Sequence, residues 1–459
     1  MSQLYTKKGN KTLPQNYRPV SLTCIICKVM EGIVRDKLIE HMKDNNLFSP
    51  KQFGFISGRS TVLQLLHVLN IWTEILDQGG CLDVVYCDFM KAFDKVPHRR
   101  LIYKIDKYGI KGNILGWIDS FLSNRSQKVV INNSKSSTAP VTSGIPQGSV
   151  LGPLLFVIYI NDLPGVVDDK SYVFLFADDT KLFRQIQSSN DVLILQNDIK
   201  NLIEWSNKWL LKFHPDKCLY MGIGYNNDNT IKDKYSMDGH TLKMSDCEKD
   251  IGVFIDSKLS FETHINNAVN KANRILAITR KTFDYMDGDI FRSIFKGLVR
   301  PHLEYGAPVW SPHLIKYIDI IENVQRRATK LVPGLSNMSY SERLLHLKLP
   351  TLSYRRVRGD MIQVFKMMNG GYDESIPNLL KKSVTATRGH NHKLFKDRAN
   401  KDIRKYNFNI RVCSLWNSLP ENLVNAKDVK SFEIGLDSHW KNQDLMYKNH
   451  KASILLNNI

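Results

Sequence analysis

Acidic residues, organised cysteines and long apolar runs are all scarce in this 459-residue sequence, and each shortage removes a class of protein. Aspartate and glutamate number 45 against 64 lysines and arginines, a formal charge of +19. The balance favours a polyanionic partner, with nucleic acid the first candidate. The seven cysteines are an odd number, scattered and without a secretory signal, so a disulfide framework is excluded and reduced thiols in an intracellular compartment, nucleus or cytoplasm, are expected. Cys24 and Cys27 form a CxxC, but no second pair or His pair stands at zinc-finger spacing, and two helix residues are the better reading. The start, MSQLYTKKGN, has no apolar h-region, and the longest apolar run, residues 150–160, is broken by Gly152 and Pro153. Nothing reads as a membrane span, so no membrane partner is expected. Internal repeats and low-complexity tracts are absent too, which sets aside repeat arrays.

What is present is ordinary globular composition, 42% hydrophobic and 24% charged, with length for two or three domains. The first half reads as mixed α/β. Residues 82–87 form a valine-rich apolar run, and residues 172–176 and 181–183 flank a tight polar turn, so strands are predicted there. Between them the pattern gives helices over 101–108 and 114–122, a strand over 127–131, and a helix over 154–160 opened by Gly152 and Pro153. A long amphipathic helix follows, with Val192, Leu195, Ile199, Leu202 and Trp209 on one stripe and Asn190 as its cap. Asp238 and Gly239 predict a hairpin turn, residues 252–255 another strand, and beyond Phe261 the pattern is almost wholly helical. Polar residues 226–233 suggest a domain boundary.

The chemistry concentrates in three aspartates. Asp88 ends the strand VVYCD, and Asp178 and Asp179 sit in the turn of YVFLFADDTKLF. Two magnesium ions about 3.5 to 4 Å apart can offset the charge on the attacking and leaving oxygens of a nucleotidyl transfer. Magnesium takes hard oxygens, keeps several waters and needs only one or two carboxylates per ion. An Asp-Asp pair in a hairpin is, taken alone, ordinary turn chemistry. Its neighbours decide otherwise.

In order along the chain stand KKGNKTLPQNYRPVSL, QFGFISGRST, YCDFMKAFDKVPH, SGIPQGSVLGPLLF, FADD, HPDKC and KDIGVFIDSKLSFETHI. This succession resembles the reverse transcriptase of a non-LTR, LINE-like retrotransposon of the jockey and chicken-repeat type. The resemblance implies an α+β right-hand polymerase with fingers, a palm built on an antiparallel sheet, and a thumb, followed by a mainly helical C-terminal region. It divides the chain into fingers and palm at 1–228, primer grip and thumb at 229–300, and a basic helical region at 301–459. The implied activity is RNA-directed DNA synthesis with two Mg2+ ions, for which Mn2+ substitutes, on an RNA template and a DNA primer with deoxynucleoside triphosphates as substrates.

By the same resemblance Asp88 and Asp178 ligate the metals, Asp179 completes the cluster and the Phe89 carbonyl assists. Phe93 is the bulky side chain that meets a ribose 2′-hydroxyl. Pro146, Gln147 and Gly148 form the turn that holds template and incoming nucleotide, and proline and glycine suit so close an approach. Arg18 and Lys8 supply triphosphate contacts, for which an arginine fork is well shaped. Lys217 in HPDKC is the general acid for leaving pyrophosphate. Arg59 in the second block, Gly252 of the primer-grip turn, and Lys271 and Arg274 of the thumb contact nucleic acid.

Farther on, residues 381–411 interleave lysines and arginines with Phe395, Tyr406 and Phe408, a composition suited to RNA or single-stranded DNA. Elements of this type usually encode an endonuclease ahead of the polymerase, whereas this chain begins inside the first fingers block; the expectation is a polymerase without its nuclease, and no ribonuclease H signature follows. The alternative reading is a truncated, non-catalytic nucleic-acid-binding remnant of such an element.

Overall fold

A computed structural model describes residues 2–6, 10, 17–131, 134–225, 234–383, 389–441 and 446–447. They form two compact units, one from residues 1–59 and 82–245, the other from 60–81 and 246–459. The polar stretch 226–233, read as a boundary, lies outside the described residues.

The first unit is α+β. At its N-terminus β1 (Ser2–Thr6) and β2 (Tyr17–Ser21) pair antiparallel, followed by the helix α1 (Ile25–Asp44). Cys24 caps α1, its Sγ accepting from Cys27 N at 3.4 Å, so the CxxC is a helix start. The main sheet begins with β3 (Cys81–Cys87), whose Val84 and Val85 are fully buried. After it come α3 (Ala92–Lys95), α4 (His98–Lys107) and α5 (Gly112–Leu122). The single strand predicted over 127–131 is instead two, β4 (Arg125–Gln127) and β5 (Val129–Ile131). They part because β4 pairs with β7 (Ala139–Val141), while β5 pairs with β1 and with β6 (Ser134–Lys135).

The helix α6 (Gly152–Ile160) is apolar all round and is buried all round, as such a helix must be. Beyond it β8 (Tyr172–Phe176) and β9 (Asp179–Ile186) form the predicted hairpin, joined in register from Tyr172↔Phe183 to Phe176↔Asp179. The amphipathic helix α7 (Ser189–Trp209) buries Leu195, Ile199, Leu202 and Trp205. Its cap is Ser188, not Asn190, because Ser188, two residues earlier, makes a reciprocal capping box with Asp191. β10 (Leu219–Ile223) pairs antiparallel with β3, β11 (Ser236–Met237) and β12 (His240–Thr241) close on the predicted Asp238 and Gly239 turn, and β13 (Lys243–Met244) flanks β10. The main sheet therefore runs β13-β10-β3-β9-β8.

The second unit takes up α2 (Thr61–Asp77), with Leu65, Leu66, Val68 and Trp72 buried. The hairpin of β14 (Cys247–Asp250) and β15 (Val253–Asp256) precedes α8 (Glu262–Thr282). The remainder is helical, its longest segments spanning Ile315–Ala328 and Leu352–Met368. Among the described residues no helix is long and apolar enough to cross a membrane.

Candidate active site

Valine-rich β3 is central in the main sheet, and Asp88 is the first residue beyond its end. The chain that follows is laced to the segment before β10. His214 N donates to Asp88 O at 2.8 Å, Met90 N to Lys212 O at 2.8 Å, and Asp88 N approaches Cys218 Sγ at 3.4 Å. Phe89 and Phe213 form an antiparallel bridge and stack with ring centroids 4.3 Å apart. This lacing carries Lys217, on the turn Pro215–Lys217, to Asp88: Nζ lies 3.3 Å from Oδ2, with both side chains about half exposed. Two residues 129 apart in sequence are thus one ion pair. Beside them the Cys87 thiol is pushed up by its hydrogen bond with Cys218 and by burial, so it stays protonated.

The second carrier of carboxylates is the β8-β9 hairpin, and β9 is the neighbour of β3. The register leaves Ala177 and Asp178 as the two turn residues, while Asp179 already belongs to the strand. Ala177 stands at φ 54°, a conformation glycine adopts more easily. Asp178 is partly and Asp179 largely exposed.

A third segment supports that turn, through a residue, Gln52, to which the sequence assigns no role. Gln52 is fully buried; its Oε1 accepts from Ala177 N at 2.9 Å and from Gly54 N at 2.7 Å. Phe53 N donates to Leu175 O at 2.7 Å, and Leu175 N to Lys51 O at 2.9 Å. A Cβ on Gly54 would stand 2.4 Å from Ala177 N, so only glycine admits so close an approach. The same loop reaches the Asp88 segment through Phe55, which meets Phe93 edge-on at 6.5 Å. Phe93 in turn stacks on Phe156 at 4.5 Å. Arg59, expected among the nucleic-acid contacts, is corrected to a structural role: it is buried, and its Nη1 donates to the carbonyls of Ser49 at 2.6 Å and Gln52 at 2.5 Å.

The turn with Pro146, Gln147 and Gly148 is fixed from both sides. Gln147 Nε2 donates to Asp94 Oδ1 at 2.8 Å, Ser21 N donates to Gln147 O at 2.7 Å, and Ile145 N to Phe93 O at 2.7 Å. Pro146 is buried, whereas Gly148 is exposed at φ 99°, where a Cβ would lie 2.8 Å from Ser21 O. Buried Glu31 of α1 accepts from Val150 N and Leu151 N and so holds the approach to α6. Lys8 lies outside the described residues, as does the side chain of Arg18, whose backbone belongs to β2.

In the second unit Ile251 and Gly252 both have positive φ, 44° and 90°, in the turn between β14 and β15. A Cβ on Gly252 would come within 2.8 Å of the Tyr305 ring, whose Oη donates to Ile251 O. Lys271 and Arg274 are exposed on α8, opposite its buried Ile265, Ala268 and Ala272. In the basic stretch near the C-terminus, Arg404 and Arg411 are not available as expected. Arg404 donates to Asn70 and Thr73, and Arg411 makes a two-pronged pair with buried Asp360 at 2.9 and 3.0 Å. Phe408 is buried too, while Phe395 stays exposed.

Oxygen donors that are partly exposed suit a hard divalent cation that keeps waters and also binds phosphate oxygens. Among the described residues no three His, Cys, Asp or Glu side chains gather as a ready-made metal cage. Asp88, Asp178 and Asp179 are oxygen donors of that chemical kind.

The sequence profile of the family described as reverse transcriptase (RNA-dependent DNA polymerase) matches residues 5–245. The probable RNA-directed DNA polymerase from transposon BS of Drosophila melanogaster is 27% identical over 331 residues, covering 70% of this chain and 36% of that protein. The RNA-directed DNA polymerase from mobile element jockey of the same fly is 26% identical over 337 residues, with the same coverage. The chain thus spans about a third of the length of these relatives. Among solved structures, apo telomerase from Candida tropicalis aligns with 69% of this chain and 53% of its own at 10% identity and a TM-score of 0.42.

Proposed function

The chain belongs to the reverse transcriptase (RNA-dependent DNA polymerase) family, and from that premise we propose that it extends a DNA primer on an RNA template, as the polymerase of a non-LTR retrotransposon. The observation that carries this reading is the Lys217 to Asp88 pair at 3.3 Å, beside a sheet neighbour that presents Asp178 and Asp179. One carboxylate for a metal and one cation for a leaving group meet there.

In this reading Asp88 and Asp178, with Asp179 and the Phe89 carbonyl, hold two Mg2+ ions. When bound, those ions supply charge neutralisation for the attacking and leaving oxygens. Lys217 delivers a proton to the departing pyrophosphate. Phe93, braced by Phe156, closes the space that a ribose 2′-hydroxyl would need. Gln147 and Gly148 present backbone to the nucleotide and, with Pro146, to the template, while Arg18 and Lys8 receive the triphosphate. Gly252 supports the primer end, and Lys271 and Arg274 on α8 meet duplex phosphates, a salt-sensitive contact.

The test is primer extension by the full chain with Mg2+ and deoxynucleotides, alongside a direct measurement of primer-template binding. Wild type should extend and Asp178→Asn should bind without extending. Folded wild type that binds primer-template and makes no product would establish the binding-remnant alternative.

A further inference from the structure

We infer that Gln52 is a positioning residue for the catalytic turn: its buried amide clamps Ala177 in a left-handed conformation and thereby sets where Asp178 and Asp179 point. The inference rests on the proposed metal-binding role of those aspartates and goes beyond it by assigning what holds them.

Four observations converge on the clamp. Gln52 has no exposed surface, so its amide must find partners inside the protein. Its Oε1 is used twice, by Ala177 N at 2.9 Å and Gly54 N at 2.7 Å. The backbone on either side is stitched to β8, with Phe53 N on Leu175 O and Leu175 N on Lys51 O, which fixes the point from which the Gln52 side chain reaches toward the turn. Finally, Ala177 sits at φ 54° although it has a Cβ. A two-residue hairpin turn with positive φ at its first position ordinarily takes glycine there. An alanine at that position needs an outside hold, since strain of this kind persists only where surroundings over-determine the conformation. The Oε1 contact to Ala177 N is placed at that residue, one bond series before the Asp178 backbone.

The arrangement also explains the neighbouring glycine. Gly54 brings the loop within 2.4 Å, measured from where a Cβ would be, of the same Ala177 N. Without that approach the amide of Gln52 could not reach. The motif is therefore a brace in which the glycine permits the approach and the glutamine makes the bond.

The experiment uses the full chain and compares wild type, Gln52→Met, Ala177→Gly and the double variant. Methionine keeps the length of the side chain and removes both the Oε1 acceptor and the Nε2 donor, which lies 3.5 Å from Ala177 O. Two readouts are taken: single-turnover extension, and Mn2+ binding followed by the paramagnetic resonance of the free ion, in a complex with deoxynucleotide and a primer lacking its 3′-hydroxyl. Thermal unfolding is recorded for each variant. For Gln52→Met we expect the maximal single-turnover rate to fall about 10 to 100-fold, the nucleotide concentration giving half that rate to change less than about threefold, and Mn2+ affinity to fall at least about fivefold. Ala177→Gly alone is the reference for the double variant, in which part of the lost metal affinity should be recovered, because glycine adopts the turn more readily. The inference is overturned if folded Gln52→Met binds Mn2+ and turns over like wild type, or if its loss of rate follows the folded fraction alone with metal affinity intact. It is overturned too if Ala177→Gly recovers none of the loss. An inactive wild type would instead sink the polymerase reading, which separates the two failures.

Discussion

Lys217 Nζ lies 3.3 Å from Asp88 Oδ2, and the pair is half exposed to solvent. So exposed an ion pair contributes little to stability, on the order of 0 to 1 kcal/mol. Three main-chain bonds around His214 bring the two residues together. Lys217→Ala should leave thermal unfolding nearly unchanged while lowering the single-turnover extension rate about 100-fold, within the range of a general acid. Lys217→Arg should not restore the rate fully, because a guanidinium gives up its proton far less readily. Rapid-quench kinetics on the three proteins decides the matter; a rate within threefold of wild type in the alanine variant removes the general-acid role.

Phe93 is held by Phe156 on one face and by Phe55 at its edge, so its ring has a defined position. A rigid bulky side chain discriminates by clash, and removing it relaxes the discrimination. For Phe93→Ala the ratio of kcat/KM for ribonucleotides over deoxynucleotides should rise roughly 10 to 100-fold. The lost packing should cost about 2 kcal/mol, less than for a fully buried phenylalanine. Steady-state incorporation of both nucleotide types on one primer-template measures the ratio. No change in it would assign Phe93 to packing alone.

Arg411 illustrates a basic residue whose charge is spent inside the protein. Its pair with Asp360 is enclosed, and its Nη2 also donates to Pro308 O at 2.7 Å. Removing one partner of a buried pair strands the other, at about 3 to 5 kcal/mol. Arg411→Ala should therefore lower the unfolding temperature by several degrees and leave RNA affinity per folded molecule unchanged. The exposed Lys382 and Lys396 should behave in the opposite way. Their joint replacement by alanine should reduce the salt dependence of RNA binding by about two counterions without changing unfolding. Equal loss of RNA affinity in Arg411→Ala would return that residue to the binding surface.

What was legible in the sequence follows from physical range. Elements set by local pattern emerged as read: the valine run became β3, the Asp238 and Gly239 turn closed a hairpin, and the stripe on α7 faced the core. Failures came where a distant partner decides. One predicted strand split into β4 and β5 because two different strands claim its halves. The cap was the local exception, since Ser188 displaced Asn190 because Asp191, three residues on, could bond back to it. Arg59 and Arg411 looked like surface cations because charge in a sequence carries no sign of the carbonyls and carboxylate that receive it. Gln52 was passed over for the same reason, since its partner is 125 residues away. The one available signal was glycine two residues later, in a loop with no turn that demands it.

His264, on α8, gives the second unit a dependence on pH. Burial, together with the charges of Lys271 and Lys249, lowers its pKa to about 4. The neutral ring is the form the fold uses, because Nδ1 accepts from Phe254 N at 3.2 Å and thereby ties the helix to β15. In the unfolded chain the imidazole titrates near 6.5. Between about pH 6.5 and pH 4 the unfolded state therefore binds a proton that the folded state does not, and stability falls as pH falls through that window. The full contribution is present above about pH 6.5, and up to about 3 kcal/mol of it is lost by pH 4. Denaturant unfolding of wild type between pH 7.5 and pH 4 should show this decline. His264→Asn, which offers an oxygen near the position of Nδ1 but does not titrate, should be less stable at pH 7.5 and show a shallower decline toward pH 4. Parallel slopes for the two proteins would place the acid sensitivity elsewhere.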